Sequence, residues 1–232
     1  DGDGQVTRAD AQIALDIAVE KTVAAPEQEA AGDLNGDNRI NAADAALIMR
    51  LAAGLPLFPS ASLSQVFAAA QHAVGFSIPD DTTVKAGSSV WVPVTVSDAS
   101  GVAGVNLVVN YDPFLVAAVG ARTTTLSQNF DLEFNVPVGG QAHIALVPKS
   151  GHETGLSGGS GVLVEIQFVA AEEAVEGQTS PLTLAATRLS DTFGRDFATS
   201  ALQVDVGQDH GSLRVTVADQ AVAGLAAVNN GP

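Results

Sequence analysis

The sequence contains no cysteine, one methionine, one tryptophan and one tyrosine. Without thiols it has no disulfide framework, no zinc–thiolate site and no cysteine nucleophile, although that absence assigns no compartment. Aromatic residues make up 5 % of the chain, so a sugar platform of exposed Trp or Tyr has little material to build on. Basic residues are also scarce: 10 Lys and Arg stand against 26 Asp and Glu, for a formal net charge of -16. Such a chain repels phosphate backbones and anionic headgroups, which argues against nucleic-acid and membrane-surface partners and favours cations as ligands. No apolar run reaches the roughly 18 residues of a membrane span. The chain opens on Asp1-Gly2-Asp3-Gly4 with neither an initiator Met nor a secretory leader, the start expected of a chain whose upstream residues were removed.

What is present is globular in composition: 232 residues, 46 % hydrophobic and 16 % charged, enough for one or two domains with a core. A shift of 34 residues lays Asp3-Gly4-Gln5-Val6-Thr7-Arg8-Ala9-Asp10 on Asp37-Asn38-Arg39-Ile40-Asn41-Ala42-Ala43-Asp44, each copy running into an Ala/Ile/Leu-rich helical pattern. Two copies are too few for a helical solenoid, and what recurs is oxygen-bearing residues rather than packing residues.

In the second copy Asp33, Asn35, Asp37, Asn41 and Asp44 take positions 1, 3, 5, 9 and 12 of a twelve-residue loop, with the Arg39 carbonyl at 7 and Ile40 at 8 facing the core. A hard cation such as calcium takes about 6 to 8 oxygens, and alternate residues of a tight loop can aim them at one centre. Asn38 stands where an EF-hand has Gly, and tolerates the left-handed turn; Asp44 stands where Glu is usual. The competing reading is an acidic turn that caps the next helix through Asn41 or Asp44. The first copy supplies Asp1, Asp3, Thr7 and Asp10 at positions 3, 5, 9 and 12 and the Gln5 carbonyl at 7, leaving a weaker site that lacks its first ligand. Up to two calcium ions are expected, the first site being incomplete.

Two such loops, each followed by a helix, resemble the dockerin family over residues 1 to 56, an EF-hand-like all-α module. Helices are expected over Arg8–Lys21, Pro26–Ala31 and Ala42–Ala53, the last ending at Gly54. The resemblance implies that loop positions 10 and 11 and residues further along the helices meet a cohesin partner: Arg8, Ala9, Ala42 and Ala43, with Leu15, Asp16, Met49 and Arg50. Because Arg8-Ala9 differs from Ala42-Ala43 and Asp16 differs in charge from Arg50, one binding orientation is expected. Leu15 and Met49 equally suit a helical core.

Residues 57 to 75 read as a linker: Pro56 and Pro59 break the helix, then Leu63, Val66, Phe67, Ala70 and Val74 form the stripe of a short amphipathic helix. From 76 to 218 the period becomes two, in Val90, Val92, Val94 and Val96, in Val105, Leu107, Val109 and Tyr111, in Ile144 and Leu146, and in Leu213, Val215 and Val217. About nine strands with turn signals between them make a two-sheet antiparallel sandwich or jelly roll. Residues 219–232 are left as a tail.

Three segments of this half resemble the cohesin family: Val84-Lys85-Ala86-Gly87, Gly104 to Pro113 with its Tyr111-Asp112-Pro113, and Gly161 to Ile166. The odd residues of the Gly104 strand form the core face, so Asn106, Val108 and Asn110 point outward, where the resemblance implies a docking surface; an ordinary solvated face is the plain alternative. By the same analogy Leu156 adds an apolar contact.

Enzymatic readings find little support. Gly155-Leu156-Ser157-Gly158-Gly159 fits G-x-S-x-G, but β-patterns flank it instead of the strand-to-helix turn of a nucleophile elbow, and the four histidines are scattered. The resemblances imply a non-catalytic extracellular or cell-surface scaffoldin-like adaptor whose partners bear cohesins or dockerins. A head-to-tail filament of copies is the second possibility, on the expectation that a helical linker hinders closure of one chain on itself. A carbohydrate-binding sandwich with a calcium module is the third.

Overall fold

A computed structural model describes residues 1–57, 74–196 and 211–216. They form three helices, α1 (Arg8–Ala18), α2 (Pro26–Gly32) and α3 (Ala42–Ala52). Ten strands follow: β1 (Phe76–Ser77), β2 (Thr82–Lys85), β3 (Ser89–Val96), β4 (Val102–Asn110), β5 (Val116–Thr123), β6 (Phe130–Asn135), β7 (Gln141–Pro148), β8 (Gly161–Ala170), β9 (Thr179–Asp191) and β10 (Gly211–Thr216). The expected linker helix at Leu63, Val66, Phe67 and Ala70 and the tail at 219–232 lie outside the described residues. Val74 is fully buried in the sandwich core, so the sandwich begins two residues before the expected boundary.

The repeat is structural at both ends of its helices. Thr7 caps α1 by accepting from Ala9 N at 3.1 Å while Asp10 accepts from Thr7 N at 2.9 Å; Asn41 and Asp44 repeat this on α3 at 2.8 and 3.0 Å. Each reciprocal cap satisfies two amides that the first turn cannot, at about 1 kcal/mol for the capping residue. Both helices end in the same left-handed turn, with Glu20 at φ 60° after α1 and Gly54 at φ 72° after α3. Lys21 N then bonds Asp16 O at 2.8 Å, as Leu55 N bonds Arg50 O at 2.9 Å. This turn at Glu20 stops α1 at Ala18, short of the expected Lys21.

The sandwich stacks a four-stranded sheet, β1-β3-β8-β5, on a six-stranded sheet, β2-β10-β9-β4-β7-β6, antiparallel apart from the β2–β10 pair. Its core is the alternation read from sequence: Val92, Val94 and Val96, then Val105, Leu107, Val109 and Tyr111, then Ile144 and Leu146, and Leu213 with Val215. Pro93 is tolerated in β3 because β1 pairs only with Val96 and Thr95, so no ladder partner waits for its missing N–H. Leu156 also enters this core at 6 % exposure, its N–H bonded to Val102 O, and is not available as a surface contact. The Gly155–Gly159 segment is irregular loop with Gly155, Gly158 and Gly159 at positive φ, not a strand-to-helix elbow.

The helices lie on the outer face of the six-stranded sheet, α3 across β4, β7 and β9 and α1 against β7. Closure of the chain on itself, which linker geometry was expected to hinder, is the arrangement observed. Every residue of α3 from Ala42 to Arg50 is buried, and apart from Asp44 and Arg50 all of them are apolar, as befits a helix covered on every side. Strand β7 is buried on both faces for the same reason: Ala142, Ile144 and Leu146 point into the sandwich, while Ala145 and Val147 join Ala103 in a second cluster with α1 and α3.

Candidate functional site

The second loop closes on itself through its acidic residues. Asp33 accepts from the amides of Gly36, Asp37 and Asn38 at 2.8 to 3.0 Å, and Asn38 turns the chain at φ 65°, the left-handed conformation expected of it. Gly2 and Gly4 hold the matching positive φ in the first loop, at the places of Gly36 and Asn38. Ile40 packs against the helical cluster. Among the described residues, Asp33, Asp37 and Asp44 form the one acidic trio with ligand atoms within 4.8 Å of one another.

The trio fits a hard cation. Asp37 Oδ1 is enclosed and has no hydrogen-bond donor, an open acceptor at the centre of the loop. Asp44 is fully buried, and burial pushes its carboxyl up to about 6 despite the amides of Asn41, Asn35 and Leu34 donating to it. A divalent ion held there would balance the charge of Asp33 and Asp44 and fill the open acceptor of Asp37. Asn35 and Asn41 direct their Nδ2 atoms at Asp37 Oδ2, at 2.9 and 3.2 Å, while their Oδ1 atoms accept from Asp37 N and Ala43 N. Asn41 and Asp44 thus cap α3 and also line the loop. The Arg39 side chain is exposed. In the first loop Asp3 N bonds Asp1 Oδ1 and Gln5 N bonds Asp3 Oδ1, while Thr7 and Asp10 are tied up in the cap of α1, and the three carboxylates do not gather as in the second loop.

The second site is the contact between the helices and the sheet. Its centre is small and apolar, Ala42, Ala45 and Ala46 facing Ala103 and Ala145, with Leu15 and Met49 buried in the same cluster. Polar contacts surround it. Arg8 pairs with Asp131 of β6 at 2.9 Å, Lys21 pairs with Glu133, and Gln12 donates to Glu133 Oε1 at 2.6 Å. Asn135 Nδ2 donates to Val19 O at 2.9 Å, and Asn35 Nδ2 to Gly194 O at 3.1 Å. Arg50 stacks over the Phe193 ring at 4.6 Å. Arg188 of β9 reaches Asp37 Oδ2 at 2.5 Å while also holding Asp196, whose hydrogen bond is the main reason its pKa is raised. Half-exposed ion pairs of this kind contribute about 0 to 1 kcal/mol each, so they set orientation while the buried centre supplies the attraction.

Of the residues expected to meet a partner, Arg8, Ala42, Leu15, Met49 and Arg50 lie in this contact, Ala43 is buried, Asp16 bonds Gln12 and faces Lys21, and Ala9 stays exposed. On β4, Asn106, Val108 and Asn110 are half-buried and point away from the sandwich core, with Asn106 Oδ1 and Asn110 Oδ1 enclosed and unpartnered. Sequence reasoning missed Asp131, Glu133, His143, Ala145, Val147, Arg188 and Phe193. The run Ala142-His143-Ile144-Ala145-Leu146-Val147 carried the signal, since a strand covered on both faces loses the polar half of its alternation. On the opposite sheet, Trp91 lies under the Arg122 guanidinium at 4.1 Å, so it is no bare sugar platform.

Comparison with known proteins agrees with this geometry. The family model described as the cohesin domain matches residues 74–224, and that of the dockerin type I domain matches residues 1–51. Among solved structures, a type I cohesin–dockerin complex from Clostridium thermocellum matches at TM-score 0.52 and 14 % identity, over 62 % of this chain and 100 % of that one. The third cohesin ScaC in complex with the ScaB dockerin from Acetivibrio cellulolyticus matches at TM-score 0.51 and 21 % identity, over 62 % of this chain and 99 % of that one. At these identities the likeness is one of fold. A search of curated proteins returned no match. Among the described residues no helix is long and apolar enough to cross a membrane. Dockerin and cohesin domains are non-catalytic interaction modules, dockerins of type I generally bind calcium, and their partners bear the complementary module. An α-helical pair capped over acidic loops, seated on one sheet of a β-sandwich, thus meets two family models, and the chain belongs to the cohesin-domain family with a type I dockerin domain at residues 1–51.

Proposed function

We propose that this chain is an extracellular, calcium-dependent adaptor that joins other proteins through dockerin–cohesin recognition. The observation that carries the reading is α3, buried from Ala42 to Arg50 between α1 and the outer face of β4, β7 and β9: a dockerin surface and a cohesin surface in contact. The second loop, through Asp33, Asn35, Asp37, the Arg39 carbonyl, Asn41 and Asp44, holds one ion; the first, through Asp1, Asp3, the Gln5 carbonyl, Thr7 and Asp10, holds a second more weakly. Like-charged carboxylates in one loop repel unless a cation neutralises them, so ion binding becomes folding free energy of the helical half. The helical half presents Arg8, Ala42 and Arg50 to a cohesin, and the sandwich presents its β6-β7-β4-β9 face to a dockerin.

A capture experiment with the full chain tests this. Immobilised chain is offered proteins bearing isolated cohesins or dockerins, in calcium and in excess chelator. Capture in calcium that chelator abolishes supports the adaptor; identical capture under both conditions contradicts the role of the ion.

A further inference from the structure

We infer that the two halves of this chain are matched to each other, so that in the free molecule residues 1–57 occupy the cohesin face of their own chain and mask both binding surfaces. This rests on the adaptor reading and names the first occupant of its docking face.

Two glycines of the sandwich show a surface shaped for these helices. Gly104 lies inside β4, where glycine is normally unfavourable, and a Cβ there would stand 2.8 Å from Ala42 O as well as against Ser190 of its own half. Gly194, after β9, turns at φ 67°, a conformation that itself favours glycine, and a Cβ there would also stand 2.5 Å from the Leu47 side chain. Bare backbone at both points lets α3 settle onto the sheet.

Charge then selects one orientation. The sandwich offers acids at one end, Asp131 and Glu133 to Arg8 and Lys21, and a base at the other, Arg188 to Asp37. The internal repeat allows a reversed docking in which each residue is replaced by its counterpart 34 positions away. Reversal would put Ala42 in place of Arg8, Ala46 in place of Gln12 and Leu55 in place of Lys21, and the Asp16 carboxylate over Phe193 in place of the Arg50 guanidinium. The acidic end of the face would lose its hydrogen-bonding and ionic partners, and the negative face of an aromatic ring would meet an anion.

Chain length permits closure. Residues 58–73 can span about 55 Å when extended, well beyond the roughly 30 Å across a small domain. Tethering sets an effective concentration near the millimolar range, so an outside partner at micromolar concentration competes against an occupied face.

Zero-length carbodiimide cross-linking tests the proposal, because it joins the Lys21 amine to the Glu133 carboxylate only when they touch. A mixture of unlabelled and uniformly 15N-labelled full-length chains is treated at low micromolar concentration, and the Lys21–Glu133 peptide is read by mass spectrometry. The expected product carries one isotope throughout and comes from the monomer; Glu133→Lys abolishes it, and Lys21→Glu with Glu133→Lys restores a joined pair in the reverse sense. Mixed-isotope peptides would overturn closure in favour of copy-to-copy assembly while leaving the adaptor reading intact. No cross-link at all, with outside partners still captured in calcium, would overturn the match between the halves alone.

Discussion

The Arg188 guanidinium ends on Asp37 Oδ2 at 2.5 Å, so a side chain of the sandwich and the acidic loop of the helical half share one carboxylate. The other oxygen of that carboxylate has no donor. A cation held by that other oxygen would carry the same sign of charge as Arg188, and the two would repel. Removing the guanidinium in Arg188→Ala should tighten calcium binding about three- to tenfold, the equivalent of about 1 kcal/mol between like charges in a partly screened site, and loosen docking. Calorimetric calcium titration of both proteins checks this; weaker binding in the variant would contradict it.

Within the loops the weights are unequal. Asp37 belongs to the converging trio, whereas Asp1 is exposed and lies in the loop whose carboxylates do not gather. Asp37→Ala should lower calcium affinity by at least about tenfold and reduce helical circular dichroism at limiting calcium, and Asp1→Ala should do much less. Equal losses in the two variants would mean that both loops carry a full site.

The centre of the contact should be its most sensitive point. Ala145 is fully buried on the outer face of β7, between helices and sheet, and Ala145→Arg would leave an unpaired charge there at a cost of several kcal/mol. The chain should open, with a larger radius of gyration in small-angle scattering and an unchanged sandwich signal. Val108→Arg, on the half-buried outer face of β4, should weaken docking less.

Docking should also weaken in mild acid. His143 of β7 is buried at 7 % exposure with Nε2 unpartnered, and burial holds its pKa below the ordinary 6.5 although Glu20, 3.8 Å from Nδ1 at the end of α1, pulls the other way. Across the strands it faces only the uncharged Asn135 and Val108. The open state therefore takes up a proton more readily than the docked one. Docking is at full strength above about pH 6.5 and weakens as the pH falls below it, levelling off beneath the lowered value. An NMR titration that finds His143 at or above its ordinary value would remove this dependence.

The parts of the molecule legible in sequence are those where one rule acts alone. The 34-residue repeat placed both helix starts, at Arg8 and Ala42, because capping chemistry is local. Alternation placed Val92, Val94 and Val96, and Val105, Leu107 and Val109, because one face of each strand is buried. Strand β9 escaped notice: its core residues change from Leu182 and Leu184 to Leu189 across a register shift opposite Val108 and Val109, which breaks the period of two. The cohesin analogy places Leu156 as a surface contact, yet its loop folds back on Val102 and carries it into the core. The helix–sheet contact was least legible, since it depends on which outer face meets which helix, a tertiary fact that Gly104 and Gly194 record only through what they lack.

Hydrogen exchange of the full chain in calcium and in excess chelator tests the central claim, that calcium orders a dockerin half which docks on the cohesin half. The account predicts strong protection of the amides of α3, Ala42–Ala52, in calcium and near-complete loss of it in chelator, with β3 and β8 unchanged in both. Equal protection of α3 under the two conditions would contradict it.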